Sequence, residues 1–234
     1  MLIEDGKVMF GPWLPDLPEY NNPGLVEARN VIPVEGSYTS CSAAVVSDDA
    51  LPTAPIGAYA TIDDNGDPEI YAGTKTNLYE KVGPSWTDRT PSAYAAGDLD
   101  YWRFAQFDNM VVATNYADVP QRKVIGAAAD FADLASTGAA PRARQIGVIN
   151  RFVMLGDIDD GVAYPYAVQW SAIDDVTNWP TPDTSQARTV QSGRQYLKSG
   201  HGAVTGIGEG QFFGLIFQKR AITRVTYKGG DEVF

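Results

Sequence analysis

The feature that most constrains this chain is a recurring order of short strand, tight turn and short strand that closes on an aromatic residue. Residues 71–90 read YAGTKTNLYEKVGPSWTDRT and close on Trp86. The unit opens upstream, with a strand expected over 56–62 (IGAYATI), a turn over 63–67 (DDNGD) and a returning strand over 68–73 (PEIYAG). Asn65-Gly66 supplies the positive φ that such hairpin turns require. A further strand, 78–82 (LYEKV), turns at Gly83-Pro84. The order recurs as NMVVAT and QRKVIG closing on Phe131, as RFVMLG and YAVQWSA closing on Trp179, and as QFFGLIF and AITRVTY closing on Phe234. The closing aromatics are 45, 48 and 55 residues apart. Strands over 101–106, 144–149 and 202–207 feed the next unit.

About four short strands per period of this length predict an all-β fold of β-propeller-like blades over residues 56–234. Small sheets of this kind hide their apolar faces by stacking on one another, which assigns Trp86, Phe131, Trp170, Trp179 and Phe234 to packing between blades. Four blades is the low end for a closed ring, so an incomplete propeller is part of the expectation. A β-sandwich whose hairpins imitate a repeat is the alternative.

Residues 1–55 differ. The stretch FGPWLPDLPEYNNPGLVEARNVIPVEGSY carries prolines at 12, 15, 18, 23 and 33. These rule out a long helix and interrupt any strand. An extended arm is expected, with Trp13, Leu14, Pro15, Asp16 and Tyr20 as a docking segment and NVIPV (30–34) as a short edge strand.

Little in the sequence points to chemistry. The one cysteine, Cys41, excludes a disulfide within the chain, and the one histidine, His201, excludes a multi-histidine metal site. DDNGD and DIDDG resemble calcium loops, but position twelve is Thr74 in one and Val168 in the other, where a ligating Glu would be needed. GAVTGIGEG is followed by a strand pattern rather than a helix, which argues against a dinucleotide loop. No catalytic residues, metal or cofactor are expected. The opening MLIEDGKVMF has no basic segment followed by an apolar one, so a secretory signal is not expected, and no run is apolar enough to span a membrane. The formal net charge of −11 disfavours wrapping nucleic acid. It leaves open an acidic surface past which DNA slides, with Asp157, Asp159, Asp160, Asp174 and Asp175 as candidates and Asp183, Glu209 and Asp231 nearby.

The proline-rich opening, YAGTKTNLYEKVGPSWTDRT, YWRFAQFDNMVVATNYADVPQ, RFVMLG with QWSAIDDVTNW, and GLIFQKRAITRVTY together resemble the tail hub, or nozzle, proteins of short-tailed bacteriophages, in the same order and over nearly the whole chain. The resemblance implies a non-enzymatic virion protein assembled in the bacterial cytoplasm. Its subunits would form a ring, usually sixfold, that extends the DNA channel below the portal and adaptor. Its partners would be other copies, the adaptor ring, tail fibre or needle proteins, and duplex DNA in transit, with no membrane. Members of that family run past the position of Phe234, so the chain would correspond to their first part. The alternative function is a glycan-binding or glycan-cleaving propeller, whose aromatics would sit on exposed loops.

Overall fold

The computed structural model describes residues 3–4, 7–8, 11–35, 37–43, 45–46, 48–230 and 233–234; Phe10, Gly36 and Asp231, which figure in the expectations above, lie outside them. The chain separates into two compact units, Met1–Ser47 and Asp48–Phe234.

The first unit is built from local pairing. Leu14 N–H donates to Leu25 O and Leu25 N–H to Pro12 O, both at 2.8 Å. The Asn22 side chain bridges this loop, donating to Leu14 O at 3.0 Å and accepting from Gly24 N–H at 2.8 Å. The strand Val31–Val34 pairs with Ser37–Ser40 as an antiparallel hairpin. Of the residues from 11 to 46 whose burial is described, none is buried.

The second unit consists mainly of four antiparallel sheets in chain order, each a meander. The first joins Gly57–Ile62, Pro68–Gly73, Leu78–Val82 and Ser85–Asp88. The second joins Arg103–Phe107, Met110–Thr114, Gln121–Val124 and Ala132–Asp133. The third joins Arg142–Ile149, Phe152–Asp159, Ala163–Trp170 and Gly193–Tyr196. The fourth has three strands among the described residues, Val204–Gly208, Gly214–Gln218 and Ala221–Val225. Turn chemistry explains the short connections. Asp63 accepts backbone N–H bonds from Asn65 and Asp67, and Gly66 takes a φ of 90°.

The middle sheets are buried on both faces. Along Met110–Thr114, Val111 and Ala113 enter one core while Val112 enters another. Along Phe152–Asp159, Val153 and Leu155 face the second sheet, whereas Phe152 and Met154 face the fourth. A strand with both faces covered reads as a continuous apolar run, and RFVMLG and NMVVAT are such runs. Three cores result, one at each junction between consecutive sheets. The first strand of each sheet lies against the first strand of the next. Polar clasps hold these strands together. The Gln106 amide donates to Ile62 O at 2.8 Å and accepts from Ile62 N–H at 3.1 Å. Thr114 Oγ1 donates to Ala143 O at 2.7 Å, and Glu209 accepts from Val148 N–H at 3.1 Å.

Phe131 is buried between the first and second sheets, edge-on to Tyr71. Trp179 is fully buried between the second and third, its indole donating to Val176 O at 2.6 Å. It arrives there on a short parallel bridge, Thr137–Gly138 with Asn178–Trp179. Gly138 is required at that bridge, because its φ is 74° and a Cβ would stand 1.8 Å from Trp179 O. Trp170 and Phe234 meet edge-on at the junction of the third and fourth sheets.

Several expectations need correction. Trp86 does not pack between sheets. It is half-buried, opposite Lys81, and donates to Asp49 O at 3.1 Å. The cause is strand alternation: Trp86 shares a face with Lys81, not with the inward Leu78 and Glu80. Asp49, expected in the arm, belongs to the second unit and also accepts from Ser85 Oγ at 2.6 Å. The strand expected over 151–156 runs on to Asp159 through a bulge at Asp157, whose φ is 52°. Phe212 and Phe213 precede their strand, which begins at Gly214. A single helical turn, Ser185–Thr189, was not expected; Thr184 caps it by accepting from Ala187 N–H at 3.2 Å.

These placements predict unequal costs of truncation. In urea denaturation, Trp179→Ala should lose about 3–5 kcal/mol, the usual range for a buried aromatic. Trp86→Ala should lose about 1 kcal/mol. Equal losses would contradict the two environments.

Candidate functional site

The densest group of ionisable side chains sits where the first and second sheets meet. Alternation places Glu69 with Tyr71, and Leu78 with Glu80, on the inward face of the first sheet. Lys123 reaches them from the second sheet. Its ammonium is fully buried, 2.6 Å from Glu80 Oε1, and also donates to Ala127 O at 2.6 Å. Arg89 Nε donates to Glu80 Oε2 at 2.6 Å, and its Nη1 to Ala128 O at 2.6 Å. Tyr71 OH donates toward Glu69 at 3.3 Å and Glu80 at 3.4 Å. A cleft of about 420 Å³ opens beside the group, lined by Glu69, Glu80, Arg89 and the 126–128 backbone.

The two carboxyls are driven apart electrostatically. Burial pushes Glu80 up, but hydrogen bonds from Lys123 and Arg89, together with their charges, outweigh it and hold the group below the ordinary carboxylate range. Burial, then the charge of Glu80 and a hydrogen bond to it, push Glu69 up. Burial and both carboxylates push the Tyr71 phenol far up, so it remains a donor. An acid beside an ionised carboxylate is also how glycosidases are armed. Retaining enzymes, however, keep the pair about 5–5.5 Å apart around the sugar. Here the two share a hydrogen bond, and Glu80 is occupied by two cations. The arrangement clamps two sheets and leaves no room for a glycosidic bond.

The carboxylates proposed as an acidic wall do not form one. Asp157 is buried at its bulge, with Arg144 Nε at 3.5 Å, and burial pushes its carboxyl up. Asp159 meets Arg142 at 3.0 Å and accepts from Gly161 N–H, which holds it low. Asp160 meets Arg194 at 2.6 Å, and Asp174 pairs with Arg151. Asp175 accepts from the backbone and hydroxyl of Thr177. Four of the five therefore face an arginine, and their local field is largely cancelled. A like-charged wall would need them unpaired.

The arm residues are open. Trp13 is 57% and Tyr20 83% exposed, Pro15 and Asp16 are exposed, and Leu14 is half-buried against its loop. A second cavity, about 440 Å³, lies beside Gly193–Tyr196, with Trp170, Phe234, Arg188 and Arg194 in its wall. Among the described residues, no cluster of three or more His, Cys, Asp or Glu side chains could hold a metal ion, and no helix is long and apolar enough to cross a membrane.

Sequence reasoning missed the Glu69–Tyr71–Glu80–Arg89–Lys123 group. A signal for it existed. Charges at Glu69 and Glu80 stand at inward positions of strands whose other inward residues are Tyr71 and Leu78, and a buried charge requires a partner.

No family model and no curated protein sequence matches the chain. Among solved structures, it is similar to the crystal structure of the computationally designed Ika4 protein, at 13% identity and a TM-score of 0.49, over 77% of this chain and 95% of that one. At that score the likeness carries no argument.

Removing one partner of the buried group should be costly. Lys123→Ala should destabilise by about 3–5 kcal/mol, because Glu80 keeps its charge with half its compensation. The pH dependence follows from the opposed shifts. The contribution of Glu80, whose folded pKa is lowered, is present above about pH 4.3 and lost as pH falls through the folded value. That of Glu69, whose folded pKa is raised, is present at low pH and lost as pH rises. Glu80→Gln should therefore flatten the acid limb of the stability profile. Glu69→Gln, which mimics the protonated acid, should leave stability at pH 7 equal or higher. A Glu69→Gln variant clearly weaker at pH 7 than at pH 4 would contradict this assignment.

Proposed function

We propose that this chain is a structural subunit of the tail hub, or nozzle, of a short-tailed bacteriophage, built from β-propeller-like blades and assembling with copies of itself. The observation that carries the reading is the serial stacking of four-stranded meanders with their first strands side by side. In a propeller the innermost strand of each blade lines the axis in this way. The Glu209 carboxylate, at the start of the fourth sheet, also acts electrostatically on Tyr59 in the first sheet, which fits a curved array. The ordered resemblance of the sequence to tail hub proteins supplies the biological setting. The ionisable groups described above are committed to holding sheets together, as suits a protein that bears load.

In this reading the arm around Trp13 and Tyr20 docks on a neighbour or on the adaptor ring, and tail fibre or needle proteins attach to the assembled ring. Duplex DNA passes without binding because the subunit as a whole is strongly negative, not because Asp157 to Asp175 form a wall. Electron microscopy of the purified chain, alone and mixed with its candidate adaptor ring, tests the proposal. Sixfold rings with a central hole wide enough for duplex DNA are expected. Single compact particles under both conditions would overturn it and turn attention to the glycan-binding alternative.

A further inference from the structure

Two features of the structure are complementary. The first three sheets each have four strands, whereas the fourth has three among the described residues and ends on Ala221–Val225. A terminal antiparallel strand directs half its N–H and C=O groups outward, where they can receive another strand. This edge is unblunted. It contains no proline, its five residues are half-buried or exposed, and Ile222 is 64% exposed. Its surroundings are basic in an acidic chain. Residues 198–228 carry Lys198, Lys219, Arg220, Arg224 and Lys228 against the single carboxylate Glu209, before Asp231 and Glu232 follow.

The other feature is the hairpin of the first unit, which presents strand without a core. Val31, Ile32 and Val34 are 38%, 48% and 47% exposed. Its two outer edges differ. Cys41 N–H donates to Asn30 O at 2.8 Å, which makes residues 30 and 41 a hydrogen-bonded pair. Counting along the register, 32 with 39 and 34 with 37 are hydrogen-bonded pairs, and 31 with 40 and 33 with 38 are not. Pro33 therefore turns its missing donor to the outer edge of its own strand, which is blunted. On the opposite edge, Tyr38 and Ser40 turn both N–H and C=O outward. The unit is also acidic: residues 1–47 hold Glu4, Asp5, Asp16, Glu19, Glu27 and Glu35 against Lys7 and Arg29.

We infer that Ser37–Ser40 of one copy adds as a fourth strand to the Ala221–Val225 edge of a second copy. The inference rests on the self-assembly reading above and deepens it by naming the contact. Main-chain bonds supply the attachment and opposite charge supplies the approach. Donor and acceptor are different surfaces, so the contact is head-to-tail, the type that closes into a ring when the rotation permits.

The test uses the full chain with the exposed Cys41 replaced by serine. One preparation carries Tyr38→Cys or Ser40→Cys, the other Ile222→Cys or Arg224→Cys, and the two are mixed and oxidised. Mixed disulfide adducts should exceed same-variant adducts at least tenfold for one pairing, since side chains on neighbouring strands meet the geometry of a disulfide. In parallel, Tyr38→Pro removes one outward N–H without touching the hairpin's own bonds. It should raise the self-association Kd at least tenfold in sedimentation. Oligomers that persist in Tyr38→Pro with no mixed adduct would overturn strand donation and leave self-assembly standing. A parent chain that stays monomeric at every concentration and yields no mixed adduct would overturn both.

Discussion

The structure depends on one constraint: a four-stranded sheet cannot hide two apolar faces by itself, so each middle sheet must be sandwiched by its neighbours. Adjacent residues on a single strand, Val111 and Val112 or Phe152 and Val153, enter different cores. The hydrophobic effect thus acts through every strand in both directions at once. No sheet of the second unit is stable apart from the next, and its order in space follows its order in the chain. The clasps at Gln106, Thr114 and Glu209 set the register between first strands, which apolar packing alone would leave free to slide.

The buried ions belong to the same logic. Glu80, Lys123 and Arg89 join the first sheet to the second by directional bonds, and Lys123 also gathers the carbonyls of the 124–127 turn. Replacing such a group with well-packed apolar residues can leave stability equal or higher, so its value is not simply energy. It specifies which faces meet. The carboxylates of the third sheet act likewise through arginines, which removes them from any role at a charged surface and changes the physical account of DNA passage. Avoidance of DNA then resides in the overall charge of the subunit.

The two units contrast in economy. The second hides Trp179, Phe131 and Phe152 completely or nearly so, while the first hides none of its described residues from 11 to 46. Segments with so little burial gain stability by docking, and an open sheet edge with a basic surround is a physically suitable acceptor. A ring of copies would convert both features from liabilities into contacts.

The strand-and-turn rhythm was legible in the sequence because it is local. Period-two alternation, Asn65-Gly66 and the double-sided apolar runs each specify their own few residues. The all-β character and most strand positions followed from them. The placement of Trp86 did not, because one step of alternation put it on the face shared with Lys81, and the pull of Asp49 lies 37 residues away. The pairing of Glu80 with Lys123 spans 43 residues, and Asp160 with Arg194 spans 34. By itself, then, the sequence determined which segments are strands and where they turn, since backbone sterics and alternation act within a few residues. Only the tertiary structure decided which charges cancel and which aromatics are buried, because both depend on sheets far apart in the chain being stacked face to face.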